Sequence, residues 1–594
     1  MFSPGIRAIL CRLAVLLLAF SPALLCGYFV ASNAVNVPVS DDWSRATLLK
    51  KGVDGELGFA DLYAAESGAR PLVPRLLMLV SNGLTGGNLR AEIAIAHLSL
   101  WVTAACLFFL VAKTLPSGPW RVVTCLALAM AVFSPVQYEN LLWAARLGTL
   151  LPVACLAICL AALRSTLPTP AKAALCALMA AAGMHSAPAG LLIWPAVLFV
   201  IGCGLSGQER RWLFAGISLL AAALCAAYLP GSGFGIGSGS SHSFLSGLGS
   251  PLARSVSTDA SATAPLVGRI LLVLFAGELA ILGWRWSDPH ARAALLPWAA
   301  LGGYAVASAA LLAFGPSPAA AAEAIWPRNA SAGLLLSASL VGTGAYLLNR
   351  WATRTDTATL AARLALCAAF GGTAIAIWWP GWVHGARKME QWKSARLQGR
   401  AALMYWAHRE VEFPGRLDDR RGRLEGAIPF LQAQGWLDPA PLEQFGFGGF
   451  IRDEKRMAPS DYKHAMIRDA TFDGGVLRTR GYAALPASLR AADAVLLTWR
   501  TGKGEPWQAL ALTEVRGQSV SEMIFGDTHY GMGPNLARPK QFSKWGVEHS
   551  WPDAPEVEFE LRAWMLDAEK MRAYPLGGGR SLGGGSKAEE GGDR

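Results

Sequence analysis

Apolar residues gather into long runs over the first 380 residues and give way to short, alternating runs afterwards. Runs long enough, or nearly so, to cross a bilayer occupy 7–31, 91–113, 120–135, 147–164, 172–184, 187–204, 210–229, 263–284, 291–314, 330–349 and 359–379. About 20 apolar residues in a helix match a hydrocarbon layer ~30 Å thick. The pattern therefore predicts eleven transmembrane helices, those at 120–135 and 172–184 being the shortest. The first run, from about Gly5 to Ala31, exceeds a signal-peptide core and precedes no clear cleavage site, so it is read as a retained signal anchor.

The loop at 32–90 is too long for a simple connector. In ARPLVPRLLMLVSNGL, Leu72, Leu76, Leu79 and Val80 recur at helical spacing, with Arg70, Pro71, Pro74 and Arg75 around the first turn. This predicts a helix at the membrane surface with two arginines at its head.

Beyond Pro380, VHGARKMEQWKSARLQGRAALMYWAHREVEF reads as a long amphipathic helix, assigned to 381–413. The runs GVLRTRGYAAL, DAVLLTWRT, WQALALTEV and VEFELRAWML alternate in the manner of strands and predict a β-sandwich-like domain over 414–575. The Gly-rich tail at 576–594 is expected to be disordered. The fold class is thus a polytopic α-helical membrane protein with a C-terminal β-sandwich-like domain. Its transmembrane domain is assigned to 1–380.

Composition agrees, with 53% hydrophobic and 16% charged residues. The net charge of +11 does not predict a nucleic-acid partner. Residues 381–594 hold 30 Lys and Arg against 28 Asp and Glu, so the excess lies in the membrane half. With the N-terminus in the cytoplasm, the flanks on that side carry Arg7, Arg12, Lys113, Arg121, Arg164, Lys172, Arg210, Arg211, Arg285, Arg292, Arg350, Arg354 and Arg363. The short outer loops carry only Arg146, Arg254, Arg269 and Arg328. Eleven spans then place the C-terminal domain outside the cytoplasmic membrane. All ten cysteines fall in apolar runs without C-x-x-C spacing and are read as buried apolar residues.

Acidic residues cluster on the predicted outer side: Asp41, Asp42, Asp54, Glu56, Asp61, Glu66, Glu92, Glu139, Asp259 and Glu323. A polar site at that face would account for them. There the Asp41–Asp42 pair meets a bland alternative, since Ser40 or Asp41 would also cap a helix starting near Trp43. Arg70 and Arg75 suit phosphate oxygens, their forks and the helix dipole acting together, but would equally snorkel to lipid headgroups. Glu66 in the first outer loop, Tyr138, Glu139 and Arg146 in the second, and His185 in GMHSAPAG are the candidate substrate contacts; the last four also have ordinary loop or structural readings. Glu278 and His97, inside spans, are expected to find partners within the bundle. A carboxylate pair opposite arginines suits glycosyl transfer from a lipid-linked phosphate donor. One Asp would take the acceptor hydroxyl's proton, worth about 10²–10⁴-fold, and arginines would stabilise the departing phosphate. A divalent cation, Mg or Mn, on the pair is allowed but not required, and no protein metal site is predicted.

The order of these segments resembles membrane glycosyltransferases of the GT-C class, which use polyprenyl-phosphate sugars. It is most similar to a bacterial branch with an Asp-Asp-Trp stretch after the first span, then an acidic-His-Arg-Pro and Pro-Arg-Leu-Leu helix and a Glu-Asn-x-x-Trp second loop. The matching residues are Asp41, Asp42 and Trp43; Glu66, Arg70, Pro71, Pro74 and Arg75; and Glu139, Asn140 and Trp143, followed by GLLIWP at 190–195 and Arg328. The likeness covers roughly 1–400 and departs from the pattern at Ala69, where the branch has His, and at Asn329, where it has an aromatic residue. The resemblance implies an inverting transfer with Asp41 or Asp42 as base and with Arg70, Arg75 and Arg328 on the donor phosphate. Its partners would be a polyprenyl-phosphate sugar, a glycan, glycolipid or protein acceptor, and the bilayer. Two other readings stay open: a transporter or flippase of a lipid-linked glycan, and a non-catalytic envelope assembly protein.

Overall fold

A computed structural model describes the chain except residues 1–3, 67, 205–206, 231–247, 250, 254–263, 314–326, 355–359, 409–420, 454–464, 487–489, 503, 517–543, 553, 556 and 583–594, and for 4–16, 209, 264, 354 and 421 it gives backbone alone. The predicted outer-loop residues Arg254, Asp259 and Glu323 lie outside the described residues. The chain divides into two compact units.

The first unit takes in Met1–Ala34, Asp54–Thr85 and Arg90–Met389. Its helices are α1 (Pro4–Asn33), then α3 (Phe59–Leu62), α4 (Leu72–Thr85), α5 (Arg90–Thr114), α6 (Pro119–Val132), α7 (Tyr138–Leu142), α8 (Leu147–Arg164), α9 (Thr169–Met184), α10 (Ile193–Gly204), α11 (Gly207–Tyr228), α12 (Ala264–Trp284), α13 (Pro289–Ala313), α14 (Ala330–Arg354) and α15 (Leu360–Met404), while α2 (Arg45–Val53) belongs to the second unit. Each of the eleven predicted runs falls on a helix. Among the described residues eight helices are long and apolar enough to cross a membrane, and the runs at 7–31, 172–184 and 187–204 lie on shorter described apolar segments.

The helix ends follow from local chemistry. Pro119 opens α6 at a position whose N–H has no intrahelical partner. Asp288 precedes α13 and accepts from the N–H groups of His290 (3.0 Å) and Ala291 (3.1 Å). The same carboxylate pairs with Arg350 of α14 at 2.9 Å. Small residues let helices approach closely, as bundles in lipid require. A Cβ added at Gly385 would lie 2.4 Å from the carbonyl carbon of Pro135 and 2.5 Å from the nitrogen of Val136. One turn earlier on α15, Trp382 Nε1 donates to the Met130 carbonyl at 2.9 Å.

The predicted amphipathic segment at 381–413 is not a separate helix. α15 continues through Pro380 for 45 residues, about 68 Å, and the unit boundary falls at Met389. Residues 409–413 lie outside the described residues.

The second unit takes in Val35–Val53, Gly86–Leu89 and Glu390–Arg594. The sequence assigns 35–53 and 86–89 to the transmembrane domain, whereas the structure groups them with the C-terminal part. Packing explains the difference, because α2 and the 3₁₀ turn at Ser40–Ser44 lie against α16 (Arg421–Ala433). Gly87 (φ +82°) sits so close to Trp436 that a Cβ would meet its backbone oxygen at 2.8 Å.

The remainder of this unit is two packed sheets. One has the order β1 (Ile451–Arg452), β9 (Arg572–Pro575), β8 (Phe559–Asp567), β4 (Ala494–Arg500), β5 (Gln508–Thr513), with β10 (Arg580–Leu582) also on β8. The other has the order β2 (Ala465–Asp473), β3 (Val476–Ala483), β7 (Lys544–Ser550), β6 (Val515–Arg516). Their inner faces share one core, with Ile467, Leu477 and Trp545 from the second sheet against Val495, Leu497, Leu561, Ala563 and Met565 from the first. The four predicted strand runs coincide with β3, β4, β5–β6 and β8. The predicted tail begins too early, because residues 580–582 pair in antiparallel register with 559–561.

Candidate functional site

Several loops of the first unit meet at one end of its helices and carry two groups of candidate residues, while a third group belongs to the second unit. The first surrounds Arg70. Glu66 and Ala69 exchange both backbone hydrogen bonds, at 2.8 and 2.9 Å, across a tight hairpin in which Gly68 takes φ +78°. That hairpin delivers Arg70 to the C-terminal end of α11. Its Nε donates to the Tyr228 carbonyl (3.0 Å), Nη1 to the Tyr63 carbonyl (2.9 Å) and Nη2 to the Pro230 carbonyl (2.5 Å). The guanidinium also lies 4.6 Å from the centre of the Tyr63 ring. Among the described residues no carboxylate forms an ion pair with Arg70. It is therefore a half-buried cation held by three carbonyls, and no described carboxylate pairs with it.

Arg75 stands differently. It is buried in the first turn of α4, and Nη1 donates to the carbonyls of Asp61 (3.3 Å), Leu62 (2.9 Å) and Ala64 (2.6 Å). Its Nη2 binds Glu66 Oε2 at 2.9 Å. These carbonyls flank Tyr63, so Arg75 shapes the loop that holds Arg70. The start of α4 is occupied as well. Val73 N–H donates to the His185 carbonyl at 3.1 Å, and a Cβ at Gly148 would meet the Ser186 carbonyl at 2.8 Å and Pro74 Cγ at 3.1 Å.

His185 itself sits between two aromatic rings, 5.6 Å from Tyr63 and 5.6 Å from Tyr228. Its Nδ1 is buried and, among the described residues, has no hydrogen-bond partner. Burial pushes the imidazolium pKa down, and the charge of Arg70 pushes it the same way. His185 is thus held neutral beside a fixed cation, with one ring nitrogen unused.

The second group is the loop between α6 and α8. Asn140 is fully buried, and its Nδ2 donates to the Arg328 carbonyl (2.9 Å) and to Ser331 Oγ (3.1 Å). This ties the loop between α6 and α8 to the turn at Pro327–Asn329, which sequence order separates by almost 190 residues. Glu139 is buried beside Asn140, and Tyr138 is half-buried. The Arg146 guanidinium stacks 4.3 Å from the centre of the Trp143 ring. Because Arg146 precedes α8 and Gly148 touches Ser186 and Pro74, this loop adjoins the Arg70 group.

The third group, Asp41 and Asp42, belongs to the second unit, where the pair separates into two roles. Asp42 is buried, accepts from the Val39 N–H at 3.2 Å and pairs with Arg45 at 3.3 Å. Asp41 is exposed, and its carbonyl accepts from Ser44 Oγ at 2.6 Å. Ser40, just before the pair, adopts φ +46°, a strained conformation for a residue with a Cβ. Neither Ser40 nor Asp41 is the cap of this turn: its N-cap is Val39, and the Asp42 carboxylate reaches back to the Val39 N–H.

Tyr63, Tyr228 and Ser331 escaped the sequence reading. Tyr63 had a signal, an aromatic residue just ahead of the ESGAR stretch, whereas nothing local to residue 228 points to residue 70. No group of three or more His, Cys, Asp or Glu fit to hold a metal occurs among the described residues. No protein-family model and no curated protein matches this chain.

Proposed function

We propose that this protein transfers a sugar from a polyprenyl-phosphate donor to an envelope acceptor at the outer face of the cytoplasmic membrane. The observation that carries the reading is Arg70. Three carbonyls and the Tyr63 ring fix its guanidinium, no described carboxylate neutralises it, and it lies where several loops of a bundle of membrane-length apolar helices converge. A preorganised, uncompensated cation in that position suits the phosphate of a lipid-linked donor, whose charge grows as the glycosidic bond breaks.

In this reading Arg70 binds the donor phosphate, and Arg75 acts through the Tyr63 loop as a positioning residue. Neutral His185 would accept a hydrogen bond from donor or acceptor, while Arg146 and Arg328 supply further positive charge on neighbouring loops. For the base the reading keeps the sequence expectation of Asp41 or Asp42, of which Asp41 is the exposed one. The topology, with the N-terminus cytoplasmic and the C-terminal sandwich outside, is part of the proposal and rests on the distribution of Lys and Arg.

The test is transfer in washed membranes supplied with radiolabelled polyprenyl-phosphate sugars and endogenous acceptors. Loss of one charged hydrogen-bonding contact, about 1.5–3 kcal/mol, corresponds to a fall of about 10- to 150-fold for Arg70→Gln at subsaturating donor. Equal incorporation by membranes with and without the protein, across the available donors, would reject the reading.

A further inference from the structure

Glu278 lies within α12, is 3% exposed, and takes no part in the proposed chemistry. Two hydroxyls of α14 meet its carboxyl. Ser339 Oγ is 3.1 Å from Oε1 and 2.9 Å from Oε2, and Thr343 Oγ1 is 2.7 Å from Oε1. Ser339 Oγ also stands 2.7 Å from the Trp298 carbonyl oxygen of α13. The three helices are tight at this point, since a Cβ on Gly302 would come within 2.4 Å of the Phe275 ring and 2.7 Å of Ser339 Oγ.

Counting protons decides the state of the acid. A serine hydroxyl carries one proton, yet Ser339 Oγ faces the carboxyl and the Trp298 carbonyl at hydrogen-bond distance. If Glu278 were ionised, a proton given to one would leave the other contact as two lone-pair oxygens pressed together. One added proton on Oε2 resolves this. Thr343 then donates to Oε1, Oε2–H donates to Ser339 Oγ, and Ser339 donates to the Trp298 carbonyl.

No cation opposes this assignment. Among the described residues Glu278 has no ion-pair partner. The charged groups on the helices around it lie toward their ends: Arg269 on α12, His290 and Arg292 on α13, and Arg350 and Arg354 on α14; the other titratable groups there are the phenols of Tyr304 on α13 and Tyr346 on α14, which carry no positive charge in either state. Arg292 is six residues from Trp298 and Arg350 seven from Thr343, about 9–10 Å along their helices. An unpaired carboxylate removed from water gives up far more solvation than a neutral acid does.

We infer that Glu278 is a proton-binding site within the helical bundle, carried as a neutral carboxylic acid that clasps α12 to α13 and α14. On other sides of α12, Leu266, Ile270, Val273 and Leu279 are exposed. The clasp therefore attaches a peripheral helix by donors and acceptors that lipid cannot supply.

The test is an infrared difference spectrum of the purified full chain, wild type minus Glu278→Gln, at neutral pH in H2O and D2O. The expected result is a carboxylic-acid C=O band equivalent to one group per chain, shifted down in D2O. Glutamine supplies the acceptor and the donor that the neutral acid uses, with one further N–H, so Glu278→Gln is expected to melt closer to the wild type than Glu278→Ala and Ser339→Ala. A difference spectrum with only ionised carboxylate bands would overturn the inference. So would a Glu278→Gln protein that fails to fold or melts as low as Glu278→Ala.

Discussion

Arg75 Nη2 lies 2.9 Å from Glu66 Oε2, yet the ion pair is the lesser part of what this arginine does. Glu66 is 48% exposed, so solvent screens the pair to at most about 1 kcal/mol. The hydrogen bonds from Nη1 to the carbonyls of Asp61, Leu62 and Ala64 are the part that water cannot replace once the loop is folded. Arg75→Lys is therefore expected to destabilise the 59–66 loop by about 2–3 kcal/mol, since an ammonium lacks the guanidinium fork, while Glu66→Gln costs under about 1 kcal/mol. Limited proteolysis within 54–70 measures both: fast cleavage in Arg75→Lys and near wild-type cleavage in Glu66→Gln.

The two neighbouring aspartates are expected to separate in a stability assay. Asp42→Ala removes the acceptor of the Val39 N–H and the partner of Arg45, costing about 1–2 kcal/mol as cap losses do. Asp41→Asn, at an exposed position, changes stability by less than about 0.5 kcal/mol. Thermal unfolding of the purified chain reads the difference.

His185 makes the first unit sensitive to acid. Its folded pKa is lowered by burial and then by Arg70, so between the folded pKa and the unfolded value of about 6.5 the unfolded chain binds more protons. The contribution is complete above about pH 6.5 and is lost as pH falls toward the folded pKa. Melting of the wild type is expected to drop between pH 7.5 and pH 5.5 by more than that of His185→Gln. Parallel curves would remove His185 as the cause.

Gly385 tests the packing of α15 on the second loop. A methyl there would overlap the Pro135–Val136 peptide at about 2.4–2.6 Å, and backbone cannot yield as a flexible side chain does. Gly385→Ala is expected to cost about 1–3 kcal/mol, read as a lowered melting temperature. Gly372, with nothing within 4 Å, is the control at which Gly→Ala is neutral or stabilising.

What the sequence revealed depended on how local each signal was. Apolar run length is a local property, so all eleven runs sit on helices, and the period-2 runs found β3, β4, β5–β6 and β8. β7, KWGVEHS, presents a largely exposed face and carried little apolar signal. β10 is three residues in a Gly-rich stretch and exists through its pairing with β8. The candidate site was legible as a set of residues and not as a geometry. Arg70 and Arg75 look equivalent in ARPLVPR, but Arg75 turns into its own loop while Arg70 reaches residues 228 and 230. Asp41 and Asp42 look equivalent too, and only the fold shows that Asp42 is buried on the Val39 N–H and Arg45 while Asp41 is exposed.

The most direct test of sugar transfer uses a strain lacking this protein, restored with wild type, Asp41→Asn or Asp42→Asn at matched membrane levels. Mass spectrometry of its envelope glycans and glycolipids is the readout. A species heavier by one sugar is expected to return with wild type, to stay absent with Asp41→Asn, and to return with Asp42→Asn in proportion to folded protein. Full recovery with Asp41→Asn, or envelope glycans of the deletion strain identical to those of the wild type, would contradict it.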